Sequence, residues 1–511
     1  MINKKNREKS RTHNSVKNAT INLIIKLITM VCSFIMRTVF LKYLGDRYTG
    51  VSTLFTDILN ILSFTELGIG TAVSFSLYKP IAEKDNYRIA QLMKLYKYVY
   101  FTVSMVILVL GLSFLPFLDI FVNGELDIKE SKEFIYIMYL LKTAFSYLLI
   151  YKATFVIAEQ KQYVVTGIEG IGTIFKTVLG IIILVTTKNF IAYLTLEILT
   201  VVITNIAISV YSKKDLKGID GKVKIDKTDI FSLFKDVKDI IIYRASGIVL
   251  NSTDSLIISR FINITSVTLM SNYNMIFNTV NSVMYQVISA MTASIGNLSV
   301  LNSKHEQKRV FLTVSFLTFM FSEIECTGLW LCIDPFIEML WGKQYILSTF
   351  IKILLCINSF IINMYLSVDM FRTANGIFHK GRLRPLATAI INLIVSLIAV
   401  KYMGLAGVLL GTVVSRAATQ LWYDPKLIYN TVFNSSVKRY YLKYLIYFVT
   451  IFANCLIGKI FINAFAQKTI MKFALGAVYT AVSSGFIILI CYRKTDEYKN
   501  VMKYVKALVR K

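Results

Sequence analysis

The chain has 511 residues, of which 55% are hydrophobic and only 17% charged, well below the quarter or so of charged residues in soluble domains. Lys and Arg number 57 against 30 Asp and Glu, a formal net charge of +27; such an excess points to nucleic acid, anionic lipid or membrane topology, and position along the chain decides among them. The six cysteines form no CxxC pair and the three histidines sit between apolar runs, which argues against a metal centre. No HExxH, GxxxxGK[ST] or GxSxG motif occurs, so no cofactor, no metal and no catalytic machinery are expected.

A run of about twenty apolar residues crosses a hydrocarbon core of roughly 30 Å. About fourteen such runs are read here, at 18–44, 48–78, 98–122, 134–158, 164–187, 189–211, 240–261, 266–297, 309–333, 348–373, 385–402, 404–423, 442–465 and 470–492. The first follows a basic stretch ending at Lys17 and carries no small-residue cleavage site, so it is expected to stay as a span. These runs define an all-α polytopic membrane protein. A polar, lysine-rich gap at 212–239 divides it into an N-terminal lobe, 1–211, and a C-terminal lobe, 240–423, each of six spans. Two further spans in 424–492 and a basic tail, 493–511, follow.

The positive-inside rule orients the spans. Lys4, Lys5, Arg7, Lys213, Lys214, Lys217, Arg382, Arg384 and Lys438 all fall in gaps or tails on one side, which places both termini in the cytoplasm. Topology thus absorbs most of the charge excess, and no nucleic-acid partner is expected. The tail is read either as a basic amphipathic helix on anionic headgroups or as a solvated extension.

Ionisable groups inside a span are costly unless they face protein, water or a partner. In the first span Asn22, Lys26, Thr29, Ser33 and Arg37 share one helical face. Glu169, Thr173, Lys176 and Gly180 do so in the fifth, Arg244, Gly247, Asn251, Asp254 and Ser255 in the seventh, and Asn274, Asn278, Asn281, Tyr285 and Thr292 in the eighth. The tenth carries Lys352, Cys356, Ser359 and Asn363. Such stripes either bond neighbouring helices or line a shared water-filled cavity, and their number in both halves favours the cavity. In the second span Asp57 and Glu66 fall on opposite faces at about 100° per residue. Asp57 joins Thr53 and Asn60, while Glu66, beside Gly68 and Gly70, is read as a structural or gating group.

The run from Arg37 through Leu44-Gly45, Tyr48, Gly50-Val51 and Leu54-Phe55 to Glu66-Leu67-Gly68-Ile69-Gly70, Ala72 and Leu77-Tyr78-Lys79-Pro80 resembles the N-terminal signature of bacterial polysaccharide-transport proteins, the Wzx-type flippases. Thr253-Asp254 resembles the start of that family's second half, while Thr49 stands between Tyr48 and Gly50 where many relatives have adjacent Tyr-Gly. The resemblance implies two six-helix lobes around a central cavity plus two C-terminal helices, alternating access, and residence in the bacterial plasma membrane. It implies an undecaprenyl-diphosphate-linked oligosaccharide as substrate, with polysaccharide polymerases or glycosyltransferases as partners beside membrane lipids. Diphosphate binding is expected at Lys26, Arg37 and Lys176, sugar binding at Asn274, Asn278 and Asn281, and coupling or gating at Asp57, Glu66 and Asp254. The rival readings are a multidrug extruder of the same fold, which a cationic cavity disfavours, and a membrane glycan polymerase or ligase, which lacks the large outward loop it needs.

Overall fold

The computed structural model describes residues 2–63, 69–122, 126–216, 223, 246–248, 250, 252–301, 303–377, 381 and 383–509. Glu66, Arg244, Asn251, Lys217 and Arg382 lie outside the described residues. Among those described, the regular structure is helical throughout: α1 (Ile2–Tyr43), α2 (Asp46–Leu62), α3 (Ile69–Glu83), α4 (Asn86–Phe114), a short α5 (Leu118–Phe121), α6 (Lys132–Leu148), α7 (Ile150–Ala158), α8 (Gln162–Thr187), α9 (Phe190–Asp215) and α10 (252–261), then α11 (Ile264–Leu301), α12 (Lys304–Leu340), α13 (Thr349–Ala374), α14 (Arg384–Met403), α15 (Leu405–Thr419), α16 (Tyr423–Ile428), α17 (Lys438–Phe465), α18 (Thr469–Cys491) and α19 (Asp496–Val509). Nine of the described helices are long and apolar enough to cross a membrane, ten if α6 and α7, bent by 41° at their junction, count as one broken span. The second expected span is not one long helix among the described residues: α2 closes at Leu62 after 17 residues and α3 is a separate helix of 15.

The chain divides into two compact units, Met1–Thr268 and Leu269–Lys511, so α10 belongs with the first. The tight turns between spans have local causes. Asn189 begins α9 by accepting from the Ala192 amide at 3.0 Å, and Asn263 begins α11 by accepting from Ser266 at 2.8 Å. Both are N-caps that satisfy an otherwise orphaned helix amide.

In the first unit, the residues of the Leu44–Phe55 motif act as a joint. Gly45 opens α2 at φ +90, a conformation that disfavours a side chain. A Cβ on Gly50 would lie 2.3 Å from the Ile264 carbonyl oxygen, so only glycine lets α2 approach the turn after α10. Thr268 donates to the Asp46 carbonyl beside it. Val51, Leu54 and Phe55, one helical face of α2, are fully buried, and Phe55 meets Tyr136 edge-on at 5.4 Å. Asn18 ties α1 to the α7–α8 turn, accepting from the Tyr163 amide at 2.8 Å and donating to the Gln160 carbonyl at 3.0 Å.

In the second unit α14 and α15 pack closely against each other. Gly407 and Gly411 present no side chain to α14: a Cβ at either would fall 2.2 Å from Ala399 O or 2.1 Å from Ser396 Oγ. Small residues four apart let backbones meet where the hydrophobic effect between spans is weak. The contact is then stitched by Asn392 donating to Thr412 Oγ1 at 3.0 Å and by Thr388 with Thr419 at 2.7 Å. The C-terminal segment forms the amphipathic helix of one of the two readings. Helix α19 docks on the unit itself: Glu497 pairs with Lys443 of α17, Asn500 donates to Thr313 of α12 at 3.3 Å, Val501 is buried and Tyr498 packs against Phe316. Its amphipathic apolar face therefore meets protein, while Lys499 and Lys503 stay exposed.

Candidate functional site: buried charge in each unit

The first unit gathers its cations around Glu197, the lone acid in the apolar run of α9. Its carboxylate is 7% exposed and receives Lys142 of α6 at 2.7 Å on Oε2 and Lys176 of α8 at 2.9 Å on Oε1. Tyr193 donates to Oε1 at 3.2 Å. Arg37 of α1 is half-buried, and its charge neighbours are Tyr193 and Tyr139, which also feel Glu197. Among the described residues, one carboxylate thus stands between two cations, with Arg37 beside the tyrosines that adjoin it. Each ammonium has three hydrogens and gives one to Glu197; the lysine side chains keep about a third of their surface open, 30% and 28%. This arrangement can bind an anion.

Asp57 of α2, also in the first unit, is half-buried and accepts from Ser255 of α10, with Ser252 and Asn60 as further hydrogen-bonding partners. Asp254 is half-buried on the same short helix.

The second unit holds two carboxylates differently. Glu325 of α12, 4% exposed, accepts from Ser359 Oγ of α13 at 2.6 Å and from the Asn363 amide. Two positions earlier and on the opposite face, Glu323 is fully buried and accepts from Asn454 of α17 at 2.6 Å and Thr327 at 3.5 Å. Tyr479 of α18 donates to Asn454 Oδ1 at 2.9 Å, which aims the amide nitrogen at Glu323. Beyond these, Lys352 pairs with Asp334, and Asp424, fully buried, takes Arg384 at 2.9 Å and Arg372 at 3.2 Å. A wholly apolar cavity of about 120 Å³ opens between α12, α13 and α17, lined by Cys326, Cys356, Phe360 and Cys455 among others.

The sequence-predicted residues divide accordingly. Lys176 is brought into the Glu197 cluster and Arg37 lies beside it, whereas Lys26 is exposed on α1, its carbonyl accepting from Thr29 at 3.1 Å. Of the amide stripe on α11, Asn278 is exposed, Asn274 half-buried, and Asn281 accepts from Ser359 at 3.2 Å. In the tenth-span stripe Lys352, Ser359 and Asn363 are buried against α12, where Asp334 and Glu325 supply their partners, and Cys356 lines the apolar cavity. Sequence reasoning missed Lys142, Glu197, Glu323, Glu325 and the Arg372–Arg384–Asp424 cluster. The available signal was each lone acid within an apolar run, which demands a partner elsewhere in the bundle.

This helical architecture is shared by membrane exporters of known structure. The lipid II flippase MurJ in an inward closed conformation superposes over 92% of this chain and 99% of its own, with a TM-score of 0.67 at 14% identity. An inward-facing multidrug resistance MATE family transporter of the MOP superfamily covers 79% of this chain and 97% of its own, with a TM-score of 0.59 at 13% identity. A third structure, the MATE multidrug transporter DinF-BH, gives a TM-score of 0.55 at 17% identity over 82% of this chain and 97% of its own. The chain therefore has the fold common to the lipid II flippase and the MATE transporters of the MOP superfamily. No protein-family model and no curated protein sequence matches it.

Proposed function

We propose that this protein is a transporter, not an enzyme, that flips an undecaprenyl-diphosphate-linked oligosaccharide from the inner to the outer leaflet of a bacterial plasma membrane by alternating access. In this reading both termini are cytoplasmic, about fourteen spans form two six-helix lobes with two helices added, and the glycan serves capsule, O-antigen or other surface-polysaccharide synthesis. The observation that carries it is the surplus of cations around Glu197. A diphosphate must be stripped of part of its water, and Lys142, Lys176 and Arg37 offer the charge that compensates for this. The same surplus opposes organic cations, which is why the multidrug reading ranks below it. The amides of Asn274, Asn278 and Asn281 supply neutral donors and acceptors suited to sugar hydroxyls.

The test is reconstitution of the full chain in liposomes carrying a fluorescent polyprenyl-diphosphate saccharide in both leaflets. The protein is expected to make the inner-leaflet pool accessible to an external quencher, and Arg37→Ala with Lys142→Gln to abolish this while the protein stays folded. Equal exposure of a polyprenyl saccharide lacking the diphosphate would sink the proposed substrate class. Orientation is checked separately: cysteines introduced near Asp127 and Lys343 should label from outside the cell, and ones near Lys217 and Arg382 should not.

A further inference from the structure

We propose that Glu325 is a proton-binding site in the second unit, with Ser359, Asn363 and Asn281 rearranging their hydrogen bonds to suit its two protonation states. The inference goes beyond the substrate reading and stands without it. Its ground is the character of the hydrogen-bond partners. Lysine ammoniums only donate, so those around Glu197 hold that group as an anion. Glu325 meets a hydroxyl and a primary amide, each able to donate or accept.

Ser359 Oγ lies 2.6 Å from Glu325 Oε1 and 3.2 Å from Asn281 Oδ1. It has one hydrogen and two acceptors within reach. While Glu325 is ionised, that hydrogen serves Oε1. When a proton adds to Oε1, forming the O–H bond of a neutral acid, the hydroxyl accepts it and turns its own hydrogen to Asn281. Asn363 offers the same choice: its amide nitrogen donates to Oε2, while its buried carbonyl oxygen has no hydrogen-bond partner among the described residues, and turning the amide over presents that oxygen to the acid. Both protonation states are thus accommodated by the same three partners. The chain of groups runs from a buried carboxyl, 4% exposed, to the half-buried Asn281.

The electrostatic surroundings do not fix the charge. The titratable groups around Glu325 include the thiols of Cys326 on α12, Cys356 on α13 and Cys455 on α17, the phenol of Tyr444 on α17, and Glu323 on the far face of α12 with Tyr479 of α18 beside it. Lys352, on the same helix as Ser359, is taken by Asp334. An ionised carboxylate without a cation is costly in a membrane interior, so uptake of a proton relieves it.

Infrared difference spectroscopy of the purified full chain, between mildly alkaline and mildly acid pH, reads the site directly. Acidification is expected to raise a carboxylic-acid carbonyl band that Glu325→Gln removes and Ser359→Ala shifts in frequency, with proton uptake in Glu325→Gln lower by about one per chain. Glu325→Asp should keep the band at a new position, which guards against a Gln variant that fails to fold. Identical acid-induced spectra and uptake for the wild type and Glu325→Gln would overturn the proposal, as would a band that answers to sodium and not to pH.

Discussion

In the first unit Glu197 is held by Lys142, Lys176 and Tyr193 with Arg37 near, whereas in the second, among the described residues, Glu323 and Glu325 meet only amides and hydroxyls. Both solutions give a buried carboxylate hydrogen bonds, although Glu323 Oε2 has no partner among the described residues, and they differ in what a change of charge costs. An ion cluster is locked: removing its one anion strands two cations. A carboxyl among amphoteric partners is free to change state, because neutralisation orphans no charge. The contrast is between these clusters and not between whole units, since Asp57 in the first unit also meets hydroxyls and an amide, and Asp424 in the second is held by two arginines.

The largest effect is expected at Asp424. Asp424→Asn leaves Arg372 and Arg384, 3% and 5% exposed, without their shared anion, and should cost about 3–5 kcal/mol, measured as loss of thermal stability in detergent. A shift of less than a degree or two would show that the arginines find water or another partner. Next comes Glu197→Gln, expected to destabilise by about 2–4 kcal/mol, the lysines' partial exposure reducing the effect. Adding Lys142→Met should recover part of the loss by removing one stranded charge, and the absence of any recovery would break the reading of the three side chains as one cluster.

Smaller still is Glu325→Gln, the same chemical change in the other unit, expected to cost under about 1 kcal/mol because its partners rotate to suit an amide. A loss as large as that of Glu197→Gln would erase the contrast between the clusters. Smallest in stability is Asn278→Leu at an exposed position, which should leave unfolding unchanged while slowing flipping of the saccharide several-fold. Unchanged flipping in that variant would assign the amide stripe to helix packing alone.

Helix positions were legible in the sequence wherever apolar runs were long, as in α8, α9, α17 and α18, because span length and backbone satisfaction leave few alternatives. The breaks were not. Nothing in the run 134–158 signals the 41° bend between α6 and α7, and in the second run Ser63, Thr65 and Glu66, which follow Leu62, fall within what reads as one span. At the site, periodicity found Lys176 and Arg37 but not their company, although the stripes Tyr193, Glu197, Thr200, Thr204 of α9 and Tyr139, Lys142, Ser146 of α6 stand in the sequence. The α13 stripe was found and misassigned, since periodicity identifies a polar face, and only packing says whether a facing helix carries Glu325 and Asp334.

The docking of α19 bears on how the second unit is made. Phe316, Phe319, Tyr447 and Tyr492 form one aromatic cluster, with Phe319 stacked on Tyr447 at 4.0 Å, and Tyr498 and Val501 close its edge. The hydrogen bond from Asn500 to Thr313 spans 187 residues of sequence. During synthesis, at roughly 5–20 residues per second, the start of α12 is therefore inserted about ten seconds or more before the helix that covers it exists. The second half of this protein has an assembly interval in which its aromatic cluster is open to chaperones, to proteases and to other nascent chains, and α19 is what ends it.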